Sequence, residues 1–333
     1  MVLKQRFTNA AVGWSDHGFS VLLDHKYLRS PSGHVLTLPN YAIARAVANE
    51  FNAQAEAGSI SPAAMPVSQL VFTARDRVMD HMDMIRGEVI AYAGADAVCY
   101  WSGQTEAMVA RQKQYWGQIL QLLEQRFGMK FHVCLALTRI DQPSESLDLL
   151  REHLNAMDGW QLTLVMLMTG LTGSALVAFL WMIGGLNADE VFAHGFLPEI
   201  FRAELAGENS KKISNLMPKI QEITELDQFR AMLITPSPDF VRLRAHISGK
   251  VQGVGYRAWT MTSAKKHGVG GWVRNRADGR VEMELSGEWD SISAMLRQCL
   301  QGPMLAAVQS IAIDDYAECD ESQSADFAQR ETA

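Results

Sequence analysis

The chain has 333 residues, 48% of them hydrophobic and 20% charged, with a formal net charge of −7. That apolar fraction supports globular cores in two or three domains and excludes a chain too polar to fold. A negative balance without a long basic stripe argues against a nucleic-acid or membrane-surface binder.

Met1, Val2, Leu3, Lys4, Gln5 and Arg6 form neither an apolar secretory core nor a transit segment. Cys99, Cys134, Cys299 and Cys319 are scattered without metal-ligand spacing. Together these features imply reduced thiols and a bacterial cytoplasm. Phe19, Val21 and Leu23 alternate as a strand, with turns at Asp24-His-Lys26 and Pro31-Ser-Gly33. Pro39-Asn40 then opens a helix whose apolar stripe is Ile43, Val47 and Phe51.

From Leu70 to about Leu233 the pattern is helical, broken near Gly94, Gly128, Gln142-Pro143, Gly170, Gly173, Gly184-Gly185 and Asn209. An orthogonal helical bundle is expected. Residues 159–188 carry no charge and are long enough for a membrane span. However, Gln161, Thr163, Thr169, Thr172 and Ser174 interrupt them, and no Lys or Arg flanks them to set topology. Two short buried helices are expected instead, and no stable membrane insertion. Asp24, Asp76 and Asp96 read as turn or cap residues, and Met157, Met166, Met168 and Met182 as core. Nothing in residues 1–235 has a catalytic pattern.

This region carries Val21-Leu-Leu-Asp24, Leu28-Arg-Ser-Pro31, Leu36-Thr-Leu-Pro39, Met65-Pro66, Asp76-Arg-Val78 and Asp96-Ala-Val-Cys-Tyr100. It also has Arg111-Gln112 with Trp116, and Leu171-Thr-Gly-Ser174. On these motifs it resembles the assembly chaperone of the ATP synthase catalytic head, the ATP-twelve type that protects the alpha subunit. The resemblance implies an alpha-subunit partner and a partner-binding role for Glu199. The chain departs from that pattern at Arg202, where glutamine is expected, at Ala206 for tryptophan and at Asn209 for aspartate.

Pro236-Ser-Pro-Asp239 reads as a short stiff linker. Val241, Leu243, Ala245 and Ile247 then alternate with polar residues as a half-buried strand. A helix follows from about Tyr256 to His267, closed by Gly268. A second strand runs to Asn275, and Ala277-Asp-Gly279 turns it into a third with Val281, Met283 and Leu285. Ile292, Met295, Leu296, Cys299 and Leu300 have helical spacing, and Val308, Ile311 and Ile313 mark a last strand. The order βαββαβ is that of a ferredoxin-like sandwich. The fold class expected is therefore α+β and multidomain. It comprises a small N-terminal α/β part over residues 1–72, a helical bundle over 73–235, a linker over 236–239 and the sandwich over 240–316. Residues 317–333 are acidic and read as a disordered tail.

Between the first strand and helix of the sandwich lies Gly249-Lys-Val-Gln-Gly-Val-Gly-Tyr-Arg257. Glycines there permit a tight turn whose uncovered N–H groups converge on an anion at a helix N-terminus. Arg257 adds a permanent charge and a planar donor fork. The segment lacks the Gly-Lys-Ser/Thr end of a nucleotide P-loop and the Gly-x-Gly-x-x-Gly of a dinucleotide site. By itself, such a turn also fits an ordinary strand-to-helix connection. With Gly271-Trp-Val-Arg-Asn275, Asp278-Gly-Arg-Val281 and Gly302-Pro303, however, residues 240–316 resemble acylphosphatase along their whole length.

That resemblance implies hydrolysis of acyl phosphates, with Arg257 binding the phosphoryl group and Asn275 positioning the attacking water. The amides of Val251, Gln252, Gly253, Val254, Gly255 and Tyr256 complete the phosphate loop. Neither metal nor cofactor is called for, and His246 and His267 read as structural or solvated. The alternative is a chaperone whose C-terminal domain only binds an anion or partner.

Overall fold

The computed structural model describes residues 3–4, 7–101, 105–135, 138, 140–206, 215–320 and 326–333. Asn209, with the helix break expected there, lies outside these residues, as do Met1, Val2, Gln5 and Arg6. Two compact units are present, one combining Met1–Phe72 with Met232–Ala333 and the other spanning Thr73–Ala231. Read from sequence, the α/β part over 1–72 stands apart from the sandwich over 240–316. The difference originates in one sheet ladder.

In the first unit, β1 (Ala10–Ser15) and β2 (Gly18–Leu23) form a tight hairpin, followed by β3 (Lys26–Tyr27) and helix α1 (Tyr41–Ala57). Asp24 and His25 turn the chain with positive φ of 44° and 71°. The Asp24 carboxylate accepts from the Thr8 hydroxyl at 2.8 Å and from the N–H groups of Thr8 and Asn9, both at 2.9 Å. The Thr8 hydroxyl bond leads in holding this carboxyl below the usual range. Asp24 is thus a turn residue. Asn40 caps α1 by accepting from the Ile43 N–H at 3.0 Å.

The second unit is helical. Helix α2 (Pro66–Thr73) lies in the first unit up to Phe72, and the second holds α3 (Met82–Ala93), α4 (Glu106–Phe127), α5 (Ser144–Asn155), α6 (Gly159–Thr172) and α7 (Ala175–Met182). It continues through α8 (Ala188–Gly195), α9 (Leu197–Ala206) and α10 (Met217–Ile234). The charge-free stretch is two buried helices, with Asp158 and Gln161 forming a capping box on α6 and Ser174 capping α7. No helix among the described residues is long and apolar enough to cross a membrane.

Asp96 is fully buried, and its carboxylate accepts from the N–H groups of Val98 and Leu176, both at 3.0 Å. Burial pushes its carboxyl up to about 6, against hydrogen bonds led by Ser174. A raised folded-state value means that the folded chain holds this proton more tightly. Its contribution is full below the unfolded value and is lost as pH rises through about 6. The unfolding free energy of the helical unit is therefore expected to fall between about pH 4 and pH 6.5, by up to roughly 3 kcal/mol. Asp96→Asn should flatten that slope. Urea titrations of both proteins across this range check the prediction, and identical slopes would refute it.

The C-terminal segment returns to the first unit as β4 (Phe240–Lys250), α11 (Tyr256–His267), β5 (Gly270–Asn275), β6 (Val281–Glu288), α12 (Trp289–Gln301), β7 (Ala307–Glu318) and β8 (Phe327–Gln329). The sheet order is β8-β5-β6-β4-β7-β1-β2-β3. Its central part, β5-β6-β4-β7, is the ferredoxin-like arrangement, with Ile292, Met295, Leu296 and Cys299 of α12 buried. Free sheet edges invite unwanted pairing. Here both edges of that motif are covered. On one side β1 runs antiparallel to β7, with Val12, Gly13 and Trp14 facing Ile313, Ala312 and Ile311. On the other, β8 runs parallel to β5, with Phe327 opposite Gly271 and Gln329 opposite Val273.

The disordered tail expected over 317–333 is thereby corrected: 317–318 belong to β7 and 327–329 to β8. Open N–H and C=O groups on β5 give the tail its order. Arg330 and Ala333 continue the pairing through bonds to the carbonyls of Val273 and Asn275, at 2.9 and 3.1 Å.

Candidate active site

The site grows from the end of β4. Gly249 has φ +120°, and a Cβ there would collide with the Ala307 carbonyl oxygen as β7 passes. Gly253 and Gly255 take left-handed φ of 72° and 77°, and Gly255 is the N-cap of α11. The first helical bond runs from the Trp259 N–H to the Gly255 carbonyl at 3.0 Å. Among the described residues, no carbonyl or side chain accepts from the N–H groups of residues 252–257. Unpaired donors at the N-terminus of a helix this long make a ready anion cradle.

The side chains of this loop do separate work. Val251 and Tyr256 are buried, and the Tyr256 hydroxyl donates to the Cys299 carbonyl at 2.7 Å, pinning α11 to α12. Burial raises that phenol far above its ordinary range. A Cβ on Gly302 would lie 2.8 Å from the Tyr256 ring, so the turn after α12 closes against it. Gln252 reaches the other way, its Nε2 donating to the carbonyls of Arg276 and Arg280 at 2.8 Å each.

Asn275 is the last residue of β5, where its backbone pairs with Val281. Its side chain has no partner among the described residues. The hairpin beyond it is closed by Arg276 N–H to the Arg280 carbonyl at 2.9 Å, with Gly279 at φ 91°. Asp278 accepts from the Arg280 backbone at 3.1 Å and from its guanidinium at 2.7 Å. The Arg280 guanidinium leads in pulling the Asp278 carboxyl down to about 2.

Among the arginines of the loop and the hairpin, the electrostatics single out one. Arg274 and Arg276 are held by Glu282 at 2.7 and 3.3 Å, and Arg280 by Asp278. Arg257, in the first turn of α11, has no carboxylate or other acceptor among the described residues. It is half-buried, so its fork is free yet shielded from full solvation. Glu282, on β6, is 2% exposed. Burial opposes its ionisation, and Arg274 and Arg276 overcome that and hold its carboxyl below the usual range.

His246 lies 2.7 Å from Asp314 and 3.9 Å from Glu282, a structural cluster on the sheet. Among the described residues no group of His, Cys, Asp and Glu is arranged to hold a metal ion. The Gln252 strut had no sequence signal beyond a polar residue between Val251 and Gly253. The β8 strand had only Phe327.

In the helical unit, Glu199 of α9 is exposed and pairs with Arg202 at 3.1 Å, while Arg202 also donates to the Pro198 carbonyl at 3.0 Å. The substitution at 202 thus ties the carboxylate down. Both line a cleft of about 440 Å³ with Phe196, Leu216 and Lys219. Ala206 ends α9, and Asn209 falls outside the described residues.

Comparisons with known proteins match two separate stretches of the chain. Residues 243–328 match the acylphosphatase family model, and residues 4–124 that of the ATP12 chaperone protein. An acylphosphatase of Rhizorhabdus wittichii is 46% identical over 78 residues, which is 23% of this chain and 79% of the relative. That of Alcanivorax borkumensis is 52% identical over 69 residues, covering 21% of this chain and 75% of the relative. Among solved structures, the Atu1473 protein of Agrobacterium tumefaciens is 29% identical with a TM-score of 0.64, covering 70% of this chain and 87% of that one. Atp12 of Paracoccus denitrificans, 23% identical with a TM-score of 0.63, covers 69% of this chain and 98% of its own, a likeness of fold.

Proposed function

The chain belongs to the acylphosphatase family through residues 243–328, joined to an ATP12-type chaperone region, and we infer that its C-terminal domain hydrolyses acyl phosphates to a carboxylate and inorganic phosphate. The carrying observation is the unpaired Arg257 guanidinium beside a row of unpaired N–H groups. An acyl phosphate already has a carboxylate as leaving group, so no strong proton donor is needed. The demands are to hold the phosphoryl group, neutralise charge spreading over its oxygens and aim one water.

In this reading the amides of residues 251–256 and Arg257 grip the phosphoryl oxygens. The Asn275 carboxamide, both donor and acceptor, orients the water for in-line attack on phosphorus. The new P–O bond forms from water and the acyl–phosphate P–O bond breaks, releasing the carboxylate. Water's proton passes to phosphate or solvent. Phosphate release from a small acyl phosphate by the full chain tests this. A folded protein that releases none would leave the C-terminal domain as a binding module.

For the N-terminal region, the match over residues 4–124 supports a chaperone role, and the partner proposed is the ATP synthase alpha subunit. The immobilised full chain is expected to retain isolated alpha subunit and suppress its aggregation. Glu199→Lys should weaken retention by about tenfold, near 1.4 kcal/mol. Absence of retention by the wild type would remove the alpha subunit as partner.

A further inference from the structure

Gln252 sits in the middle of the cradle, and only its backbone faces the anion in the mechanism above. Its side chain spans a gap. Nε2 has two hydrogens, and both are used, one on the Arg276 carbonyl and one on the Arg280 carbonyl, at 2.8 Å each. Those carbonyls face each other across the hairpin closed by the Arg276–Arg280 bond. Arg276 directly follows Asn275. Among the described residues, no other hydrogen bond or ion pair runs from residues 251–257 to residues 275–281.

The two halves of the site therefore meet through one carboxamide. Phosphoryl-holding groups lie on the β4–α11 turn, and the water-orienting group lies at the end of β5. Buried Val251 and Tyr256 anchor the ends of the turn, but between them its N–H groups are unpaired and Gly253 and Gly255 give its backbone wide conformational freedom. Hairpins likewise tilt about their strand ends. A bridging side chain that donates to both strands of the hairpin fixes the tilt as well as the distance.

We propose that Gln252 is a positioning residue for hydrolysis: its side-chain amide sets the spacing between the phosphoryl cradle and Asn275, and thereby the line of attack, without contributing to phosphate affinity. This rests on the acylphosphatase reading. Misplacing a reacting group by about 1 Å costs on the order of 100-fold in rate. The bound anion itself keeps the amides and Arg257 whichever way the hairpin tilts.

The test uses the full chain, a small acyl phosphate as substrate and inorganic phosphate as competitive inhibitor. Gln252→Met keeps the length of the side chain and removes both donors. It is expected to lower kcat by about 10- to 100-fold, with the phosphate inhibition constant within about twofold of wild type. Gln252→Asn, one methylene short of reaching both carbonyls, should lower kcat in the same direction. In an Asn275→Ala background, Gln252→Met should change kcat by less than about twofold, because the group it positions is gone.

An unchanged kcat in both variants, or a parallel loss of kcat and phosphate affinity with the thermal midpoint intact, would overturn the proposal. A wild type without phosphate release would instead sink the acylphosphatase reading on which it depends.

Discussion

Arg257→Ala is expected to lower kcat/KM for a small acyl phosphate by about a thousandfold, a loss of about 4 kcal/mol in transition-state stabilisation. The size follows from the electrostatics of the site. Arg274, Arg276 and Arg280 are each held by Glu282 or Asp278, so none is free to swing in and replace the missing charge. In the proposed mechanism Arg257 meets both ground-state and transition-state oxygens, so the phosphate inhibition constant should rise along with KM. Arg257→Lys restores a charge without the planar fork and should recover only part of the loss.

Asn275→Ala is expected to behave differently. It should lower kcat by about 100-fold, with phosphate inhibition nearly unchanged, because a carboxamide that aims water makes no use of the bound anion. Steady-state kinetics with phosphate as inhibitor distinguish the two patterns. Equal effects of the two variants on kcat and on phosphate affinity would contradict the division of roles.

Much of this site is legible in sequence because it depends on local rules. The alternation of Val241, Leu243, Ala245 and Ile247 marks β4, and left-handed turns at Gly253 and Gly255 need glycine. Gly94, Gly128 and Gly173 likewise end α3, α4 and α6 as the breaks predicted. What stays hidden is non-local. β1 lacks alternation because nearly every residue from Ala10 to Ser15 is buried. Its pairing with β7 joins residues about 300 positions apart, and no local pattern records it. The burial of Glu282 depends on its bonds to half-buried Arg274 and Arg276, contacts that no local pattern records. Which arginine is left unpaired is likewise a property of the folded charge network.

Phe19→Ala carries the largest expected effect on stability and tests whether the N-terminal hairpin belongs to the catalytic fold. Phe19 is 4% exposed, and its ring is stacked 5.2 Å from Trp289, with Trp14 at 5.2 Å and Tyr316 at 5.8 Å edge-on. Tyr41 stacks on Tyr316 at 4.6 Å and closes the cluster. One phenyl ring thus touches β1, the first residue of α12 and β7. Removing a buried aromatic ring costs about 3–5 kcal/mol, since the neighbours cannot collapse into the space. If the first unit unfolds as one body, that loss is felt at the cradle, because β7 begins with Ala307 packed against Gly249. The temperature at which acyl phosphate hydrolysis is half lost should therefore drop by roughly 10 °C. Activity measured below that temperature should stay near wild type, since none of the cluster's ring contacts includes a residue of the cradle loop. Heating the two proteins and assaying residual activity decides the matter. An unchanged inactivation temperature would mean that the ferredoxin-like domain folds independently of β1 and β2, and that the shared sheet contributes nothing to holding the active site.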